Sequence, residues 1–281
     1  MYQSALPSYR WDAVTLQLHM TFPKPTLGED VDALRFFVEL TRENPENATT
    51  LFYLYTGWPS RDGFVDLWNE PGEFTLDTPT AISRDYYDAA FAMYESQFGE
   101  SLRLIPVAEV LYLLKQRIES RQVPDVLNFR SQLYRDAVHM TRDYGRHVAA
   151  VTAFSVLQRI DPRSLLDPEI RNHPANPTPS YFREETLQAT YQVIWEVISA
   201  DPRTGVSAPC PFDITGPALD GVPDGQVTTS DLNFYIALWI DADPAADITG
   251  PALDGVPDGQ VTTSDLNFYI AGWLDTLGAC P

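Results

Sequence analysis

The sequence predicts an α/β protein with a parallel sheet, followed by a small second region that is purely helical. In the first two hundred or so residues, short apolar segments alternate with amphipathic helical segments. Parallel strands need crossover connections, so this alternation predicts a parallel sheet with helices on both faces. The C-terminal region instead contains one 25-residue segment twice, unchanged, at a period of 34 residues.

The strands are predicted where apolar, β-branched and aromatic residues cluster between turn signals. The first is the segment "WDAVTLQL", and the second is the run "TTLFYLYTGW". A third segment, "LRLIPV", has the same character. The predicted strands are residues 11–18, 49–58 and 102–107.

The helices are predicted from apolar residues that recur every three or four positions. Thr141 is expected to cap one of them, with Asp143 in its first turn. The predicted helices are residues 30–42, 82–98, 107–118 and 146–157. A last helix carries Leu187, Tyr191, Ile194 and Ile198 on one face.

Charge divides the chain into two parts. The formal net charge is −20, and from Pro209 to the end there are eleven Asp but no Glu, Lys or Arg. Such a balance argues against nucleic-acid binding and favours cations as partners. A Pro-, Gly- and Ser-containing stretch lies between the parts. We therefore expect an α/β domain at residues 1–203, a linker at 204–212 and repeats at 213–281, with copies at 213–241 and 247–275.

Calcium binding is the chemistry that each copy predicts. Residues 220–231 and 254–265 fit a loop of oxygen ligands, with Asp at positions 1, 5 and 12 and Gly at position 6. Gly permits the sharp turn that such a loop needs, and position 7 offers its backbone carbonyl. The predicted ligands of two Ca2+ ions are Asp220, Asp224, Gln226, Thr228 and Asp231, and Asp254, Asp258, Gln260, Thr262 and Asp265.

A second alignment of the same loops is open. Position 3 of the first alignment is Val222 or Val256, which has no side-chain oxygen. If "PALDGVP" is an insertion, the first ligands become Asp213 and Thr215 in one copy and Asp247 and Thr249 in the other. A turn-rich acidic repeat that binds no ion is the remaining alternative.

Each predicted loop leads into an amphipathic helix, with Leu232, Tyr235, Ile236 and Trp239 on one face of the first. Over residues 213–275 this duplicate resembles the dockerin domain and dockerin-like repeats of secreted bacterial proteins. The resemblance implies a small α-helical, EF-hand-like module. Its partner would be a cohesin-like or cell-surface protein.

Two cysteines flank the repeats, Cys210 before the first and Cys280 after the second. This placement predicts a disulfide that joins the ends of the module, with two free thiols as the alternative. In the chain-entropy model, closing a loop of this length contributes roughly 4 kcal/mol. A disulfide would also imply an oxidising compartment.

One Asp-x-x-His step, Asp136 to His139, is the candidate for catalysis. A carboxylate can hold an imidazole in one tautomer so that its other nitrogen accepts a proton from a serine. In parallel sheets, sites form at the carboxyl ends of the strands. If it follows the sheet's final strand, this loop is expected to lie on that rim, together with the loops that follow the first two strands.

The segment "LYRDAVHMTRDYGRHVAAVTAF" resembles the last block of the SGNH/GDSL hydrolases, in which Asp-x-x-His precedes a capped helix with a Gly near its start, here Gly145. "WDAVTLQL" resembles the strand leading to the third block of that family, and "LYTGWPSRDG" resembles a Trp-containing loop in a bacterial branch. The likeness covers residues 11–164. It implies a flavodoxin-like sheet and a serine esterase with Asp136 as acid and His139 as base. The candidate oxyanion or substrate residues are Gln17, His19 and Trp58.

The resemblance also implies a Gly-Asp-Ser block before all of these elements, and the printed sequence has none. Ser101 follows a Gly-Glu step, but it precedes a strand and would lie on the opposite rim. The start also lacks a basic and an apolar signal region. We expect that signal peptide, first strand and nucleophile all lie upstream of Met1, and that the chain as printed does not hydrolyse esters.

Two functions stay open from the sequence. The first is a secreted or cell-surface esterase, acting on an ester or acylated glycan without a cofactor in the hydrolase domain. The second is a non-catalytic extracellular protein that binds partners through calcium and carries a degenerate hydrolase domain. An α/β domain with a fortuitous Asp-x-x-His is a third possibility. No apolar run reaches the roughly 20 residues needed to span a membrane.

Overall fold

The computed structural model describes residues 2–18, 23–166, 183–206, 210–221 and 226–277. The chain divides into two units, Met1–Val206 and Ser207–Pro281. This division falls inside the predicted linker. Each unit has a hydrophobic core of its own.

The first unit contains a parallel sheet of three strands, β1 (Ala13–Leu16), β2 (Leu51–Tyr55) and β3 (Arg103–Ile105), in that order. Thr15 lies opposite Tyr53, which in turn lies opposite Arg103. The middle residues of β2 are buried, as its apolar run predicts. The α/β class and the parallel sheet are confirmed, and the finer flavodoxin-like assignment stays a prediction.

In the described part of the first unit, all five predicted helices are present, and three further short helices were not predicted. The α-helices are α1 (Tyr2–Ser8), α2 (Leu27–Arg42), α3 (Phe64–Trp68), α4 (Arg84–Phe98), α5 (Val107–Glu119), α6 (Phe129–Leu133), α7 (Tyr144–Gln158) and α8 (Glu184–Ala200). Short 3-10 turns lie at Pro45–Asn47, Pro162–Leu166 and Pro202–Thr204. Within the described ranges, no helix is long and apolar enough to cross a membrane.

Local sequence signals explain where several helices begin and end. Thr26 and Glu29 form a capping box at the start of α2. The Ser83 side chain caps α4, which ends at Gly99 in the left-handed conformation. The predicted apolar face of α8 is buried, with Leu187, Tyr191, Ile194 and Ile198 each at most 2% exposed.

The second unit consists of two copies of a loop and a helix. Its helices are α9 (Thr229–Ile240) and α10 (Thr263–Asp275), with a 3-10 turn at Pro244–Ala246. Tyr235 and Tyr269 are stacked at the centre, with ring centroids 3.8 Å apart and planes 1° apart. These two tyrosines occupy equivalent positions in the two copies. The copies therefore meet as the halves of a two-fold symmetric dimer do, each presenting the same surface to the other.

The structure describes only one of the two cysteines of the predicted disulfide. Cys210 is buried and disulfide-bonded. Cys280, the only other cysteine in the sequence, lies outside the described residues. The pairing of the two stays a prediction.

Candidate functional site

The Asp136 carboxylate holds the ring of His139 in the first unit. The Nδ1 atom of His139 lies 2.9 Å from Oδ1 and 3.0 Å from Oδ2 of Asp136. Both side chains are about half exposed to solvent. Since Nδ1 faces a carboxylate, Nε2 is the ring nitrogen left to exchange a proton with another group.

Backbone groups fix the carboxylate in turn. The N–H groups of Val138 and His139 donate to Oδ1 of Asp136 at 3.0 and 2.9 Å. These two backbone bonds, with the His139 side chain, keep the pKa of the Asp136 carboxyl well below its usual range. Asp136 is therefore ionised at any pH at which an imidazole would titrate.

The loop that carries this pair does not follow a strand of the sheet, which corrects one sequence-based expectation. It follows α6, and Tyr134 pairs with Met140 as an isolated antiparallel bridge. The N–H of Arg135 donates to the carbonyl of His139, and the N–H of Thr141 donates to the carbonyl of Leu133. The loop is thus a small closed hairpin, and contacts elsewhere determine its position.

Those contacts come from the segment that follows β2. The indole N–H of Trp58 donates to the carbonyl of Val138 at 2.8 Å. The N–H of Arg61 donates to the carbonyl of Ala137 at 2.8 Å, and the Tyr134 hydroxyl donates to the carbonyl of Pro59 at 2.9 Å. Since this segment leaves the carboxyl end of β2, the pair lies beside that edge of the sheet although its loop does not follow a strand.

The start of α7 packs tightly against the same hairpin. Thr141 accepts the N–H of Gly145 on its side-chain oxygen at 2.8 Å. Asp143 stands at the N-cap position but makes no capping bond with its side chain, so its predicted place in the first turn is wrong by one residue. A β-carbon at position 145 would collide with the carbonyl of Leu133. Gly145 is therefore required by the close approach of helix and hairpin.

The structure describes only some of the remaining catalytic candidates. Gln17 is exposed and directly follows β1, so it leaves the same edge of the sheet as Trp58. His19 lies outside the described residues. Ser101 precedes β3, and its hydroxyl donates to Glu95. In the described ranges, no hydroxyl group is hydrogen-bonded to His139, and a nucleophile is not identified.

A separate cavity of about 560 Å³ lies in the first unit. The apolar part of its wall includes Trp68, Tyr87 and Val197. Most of its charged groups pair with one another, for example Arg84 with Glu109 at 2.7 Å, and Glu196 pairs with Arg117. Neither Asp136 nor His139 lines this cavity. It therefore adds nothing to the case for catalysis at the pair.

The second copy of the repeat shows how its acidic loop closes. Asp247 accepts the N–H groups of Asp258 and Gly259, at 3.1 and 2.6 Å. Asp254 is exposed and accepts only the nearby N–H of Val256. The segment between Gly250 and Asp258 therefore bulges outward from the loop. This is the arrangement that the second alignment predicts.

Asp265 closes the other end of that loop. One carboxylate oxygen accepts the N–H groups of Ile248 and Thr249 at 2.9 Å, and the other accepts the N–H of Thr262 at 2.8 Å. Burial opposes ionisation of this carboxyl, but the three backbone bonds outweigh burial and hold its pKa below the usual range. A charged carboxylate is thus kept inside a module whose sequence has no Lys or Arg.

The first copy repeats this arrangement where it is described. Asp231 accepts the N–H groups of Ile214 and Thr215 at 2.8 and 2.9 Å. Asp213 and Asp231 are buried and Asp220 is exposed. Asp224 lies outside the described residues. In the part of the chain that is described, no three His, Cys, Asp or Glu side chains are grouped closely enough to hold a metal ion.

Sequence reasoning missed the residues that hold these loops in place. In the first unit they are Arg61 and Tyr134, which brace the hairpin. In the second they are tyrosine and tryptophan side chains on α9 and α10. The exact repeat was a signal for them, because a repeated Tyr and Trp on two facing helices tend to make reciprocal contacts.

No protein-family model matches the chain, and a search of curated proteins found no match. Among solved structures, the chain is similar to the crystal structure of a DUF4886 family protein from Bacteroides uniformis ATCC 8492. The TM-score is 0.43 and the identity 17%, over 72% of this chain and 67% of that one.

Proposed function

We propose that the first unit is an SGNH-type esterase-like unit in which His139 is the general base and Asp136 orients its ring. The observation that carries the proposal is the Nδ1 contact with a carboxylate that is itself held by two backbone N–H groups. This arrangement fixes the tautomer and leaves Nε2 to accept the proton of an attacking hydroxyl. A base positioned in this way contributes roughly 10²- to 10⁴-fold to the rate.

The position of the pair supports the proposal. Ligands of open α/β sheets bind at the carboxyl ends of the strands, and contacts with the segment after β2 hold His139 beside that edge. The substrate would be an ester or an acylated glycan, and the protein would be secreted or at the cell surface. The described residues do not identify the serine nucleophile that this proposal requires.

Covalent labelling tests the proposal and locates the nucleophile. The protein should be produced from its complete reading frame and treated with a fluorophosphonate, which reacts with activated serines. We expect one labelled serine, found by peptide mass spectrometry, and loss of labelling in His139→Ala. Absence of labelling would favour the alternative, a non-catalytic extracellular protein with a degenerate hydrolase domain.

For the second unit we propose a calcium-binding, dockerin-like attachment module. The observation that favours it is the pair of buried carboxylates, Asp231 and Asp265, in a module that has no basic side chain. Backbone N–H groups already stabilise these carboxylates, and positive charge beside them would stabilise them further. The oxygen-only donors of the loops fit a hard cation. A bound calcium ion would supply that charge.

The ligands that we propose follow the second alignment, because Asp220 and Asp254 are exposed outside the closed loops. They are Asp213, Thr215, Asp224, the carbonyl of Gln226 and Asp231 in the first copy, and Asp247, Thr249, Asp258, the carbonyl of Gln260 and Asp265 in the second. Thr228 and Thr262 cap the helices that follow. The partner would be a cohesin-like or cell-surface protein.

Calorimetric titration of the full chain with calcium tests this second proposal. We expect two ions bound per chain and a loss of one in Asp247→Ala. Asp254→Ala serves as the matched control and should keep both. No heat of binding in the wild-type protein would contradict the proposal, and equal losses in the two variants would contradict the choice of alignment.

A further inference from the structure

We infer that each proposed calcium loop is held in its closed shape by two side chains from the helix of the other copy, so that the two ion sites are coupled. The inference rests on the calcium-binding function proposed above. The four residues that we assign as positioning residues are Tyr235, Trp239, Tyr269 and Trp273. They are all on α9 or α10.

The loop of the second copy is held at both ends by α9. The Tyr235 hydroxyl donates to the carbonyl of Ala246 at 2.8 Å, immediately before Asp247. The Trp239 indole N–H donates to the carbonyl of Thr262 at 2.6 Å. The first bond fixes the chain where the first proposed ligand begins, and the second fixes it three residues before the last.

The loop of the first copy is held in the same way by α10. The Tyr269 hydroxyl donates to the carbonyl of Phe212 at 2.9 Å, immediately before Asp213. The Trp273 indole N–H donates to the carbonyl of Thr228 at 2.6 Å. Each bond has a counterpart in the other copy, 34 residues away along the chain. The bracing is therefore reciprocal.

A short chain of hydrogen bonds connects each tryptophan to a proposed ligand. The Trp273 indole binds the carbonyl of Thr228, whose own N–H and hydroxyl donate to Asp231 at 2.8 and 3.1 Å. Asp231 in turn accepts the N–H groups of Ile214 and Thr215 at the start of the loop. Loss of the indole donor should therefore loosen Thr228 and, through it, the carboxylate.

Coupling between the sites follows from this arrangement. An ion in one loop orders that loop and with it the carbonyl groups that the other copy's helix binds. An ion in the first loop thereby fixes α10, and α10 carries Asp265, the last proposed ligand of the second loop, in its first turn. In the same way, an ion in the second loop fixes α9, which carries Asp231 in its first turn. Calcium bound at one site should accordingly raise the calcium affinity of the other site. The second ion then loses less conformational entropy on binding, because part of its site is already ordered.

Two conservative variants separate this inference from a merely structural role. Trp239→Phe and Trp273→Phe each keep an aromatic ring and remove one donor. Calcium binding should be measured in the full chain with only one site intact. Asp213→Ala removes the first site and leaves the second loop to be measured, and Asp247→Ala does the reverse. Since the two tryptophans occupy equivalent positions in the two copies, each tryptophan variant is the control for the other.

Each tryptophan variant should weaken calcium binding at the loop of the other copy. With only the second loop intact, Trp239→Phe should weaken calcium binding about five-fold, the effect of one net hydrogen bond of roughly 1 kcal/mol, and Trp273→Phe should leave it unchanged. With only the first loop intact, the roles should be reversed. The inference would be overturned if calcium binding at a loop were weakened by the tryptophan variant of the same copy, or by neither variant.

Amide hydrogen exchange without metal keeps the inference testable on its own. Trp273→Phe should speed exchange at Ile214 and Thr215, and Trp239→Phe should do so at Ile248 and Thr249. If the wild-type chain binds no calcium, the calcium proposal fails, while this crossed exchange pattern still decides whether the bracing exists. Unchanged exchange in both variants would refute it.

Discussion

Asp265→Asn should destabilise the second unit far more than Asp254→Asn, although the two residues are eleven positions apart in the same loop. Asp265 is fully buried and accepts from Ile248, Thr249 and twice from Thr262. In the better of its two orientations, the NH2 group of an Asn faces the N–H and the hydroxyl of Thr262, and the hydroxyl can rotate to accept from it. The buried N–H of Thr262 then loses its acceptor, which costs about 1 to 3 kcal/mol.

The two remaining bonds weaken as well, because their acceptor loses its charge. Together these effects lower the free energy of unfolding by about 2 to 4 kcal/mol. Asp254 is exposed and accepts one N–H group, so Asp254→Asn should change that free energy by no more than about 0.5 kcal/mol. The comparison has the same substitution and the same change of charge in both variants.

Hydrogen exchange in a series of urea concentrations, without metal, gives the unfolding free energy of the second unit from its own peptides. Residues 226–277 report on this unit alone. We expect the Asp265→Asn peptides to lose protection at much lower urea than wild type. Equal effects of the two variants would show that Asp265 does not close the loop as described, and the proposed ligand set would fall with it.

Three further predictions concern packing and pH. Gly145→Ala should destabilise the first unit by about 1 to 3 kcal/mol, through the collision with the Leu133 carbonyl; no change in its urea midpoint would count against the tight contact. Burial lowers the pKa of His147, so the first unit should lose stability as pH falls below the unfolded value of about 6.5. His147→Gln should remove that part of the pH dependence, and an identical profile in both proteins would contradict it. The pKa of Asp265 is lowered in the fold, so the second unit should lose stability below about pH 4, where the unfolded carboxyl takes up a proton; unfolding of its peptides that is independent of pH from 6 to 3 would refute this.

The sequence was sufficient for the long elements because their periodicity is determined by burial. The run in β2 and the apolar face of α8 both became buried, as their spacing predicts. The short helices α3 and α6 were missed for a physical reason. A helix of five residues has too few turns for a pattern, and such segments form only because tertiary contacts support them.

The choice between the two loop alignments is the clearest limit of sequence reasoning. Each copy has acidic residues at both candidate first positions, so local chemistry does not distinguish Asp247 from Asp254. Bonds from Asp258 and Gly259, eleven and twelve residues away, bring Asp247 into the closed loop. Likewise, the position of the His139 hairpin depends on contacts with Trp58 and Arg61, more than seventy residues earlier in the chain.

The rate of aryl acetate hydrolysis tests the proposed role of His139 most directly. Protein from the complete reading frame should hydrolyse p-nitrophenyl acetate, and His139→Ala should slow it by at least about 100-fold, the contribution of a positioned base. Asp136→Asn should also slow it, because the ring loses the carboxylate that orients it, while His147→Gln should keep the wild-type rate at pH 8. Equal rates in wild type and His139→Ala, or no hydrolysis by the wild-type protein, would contradict the assignment.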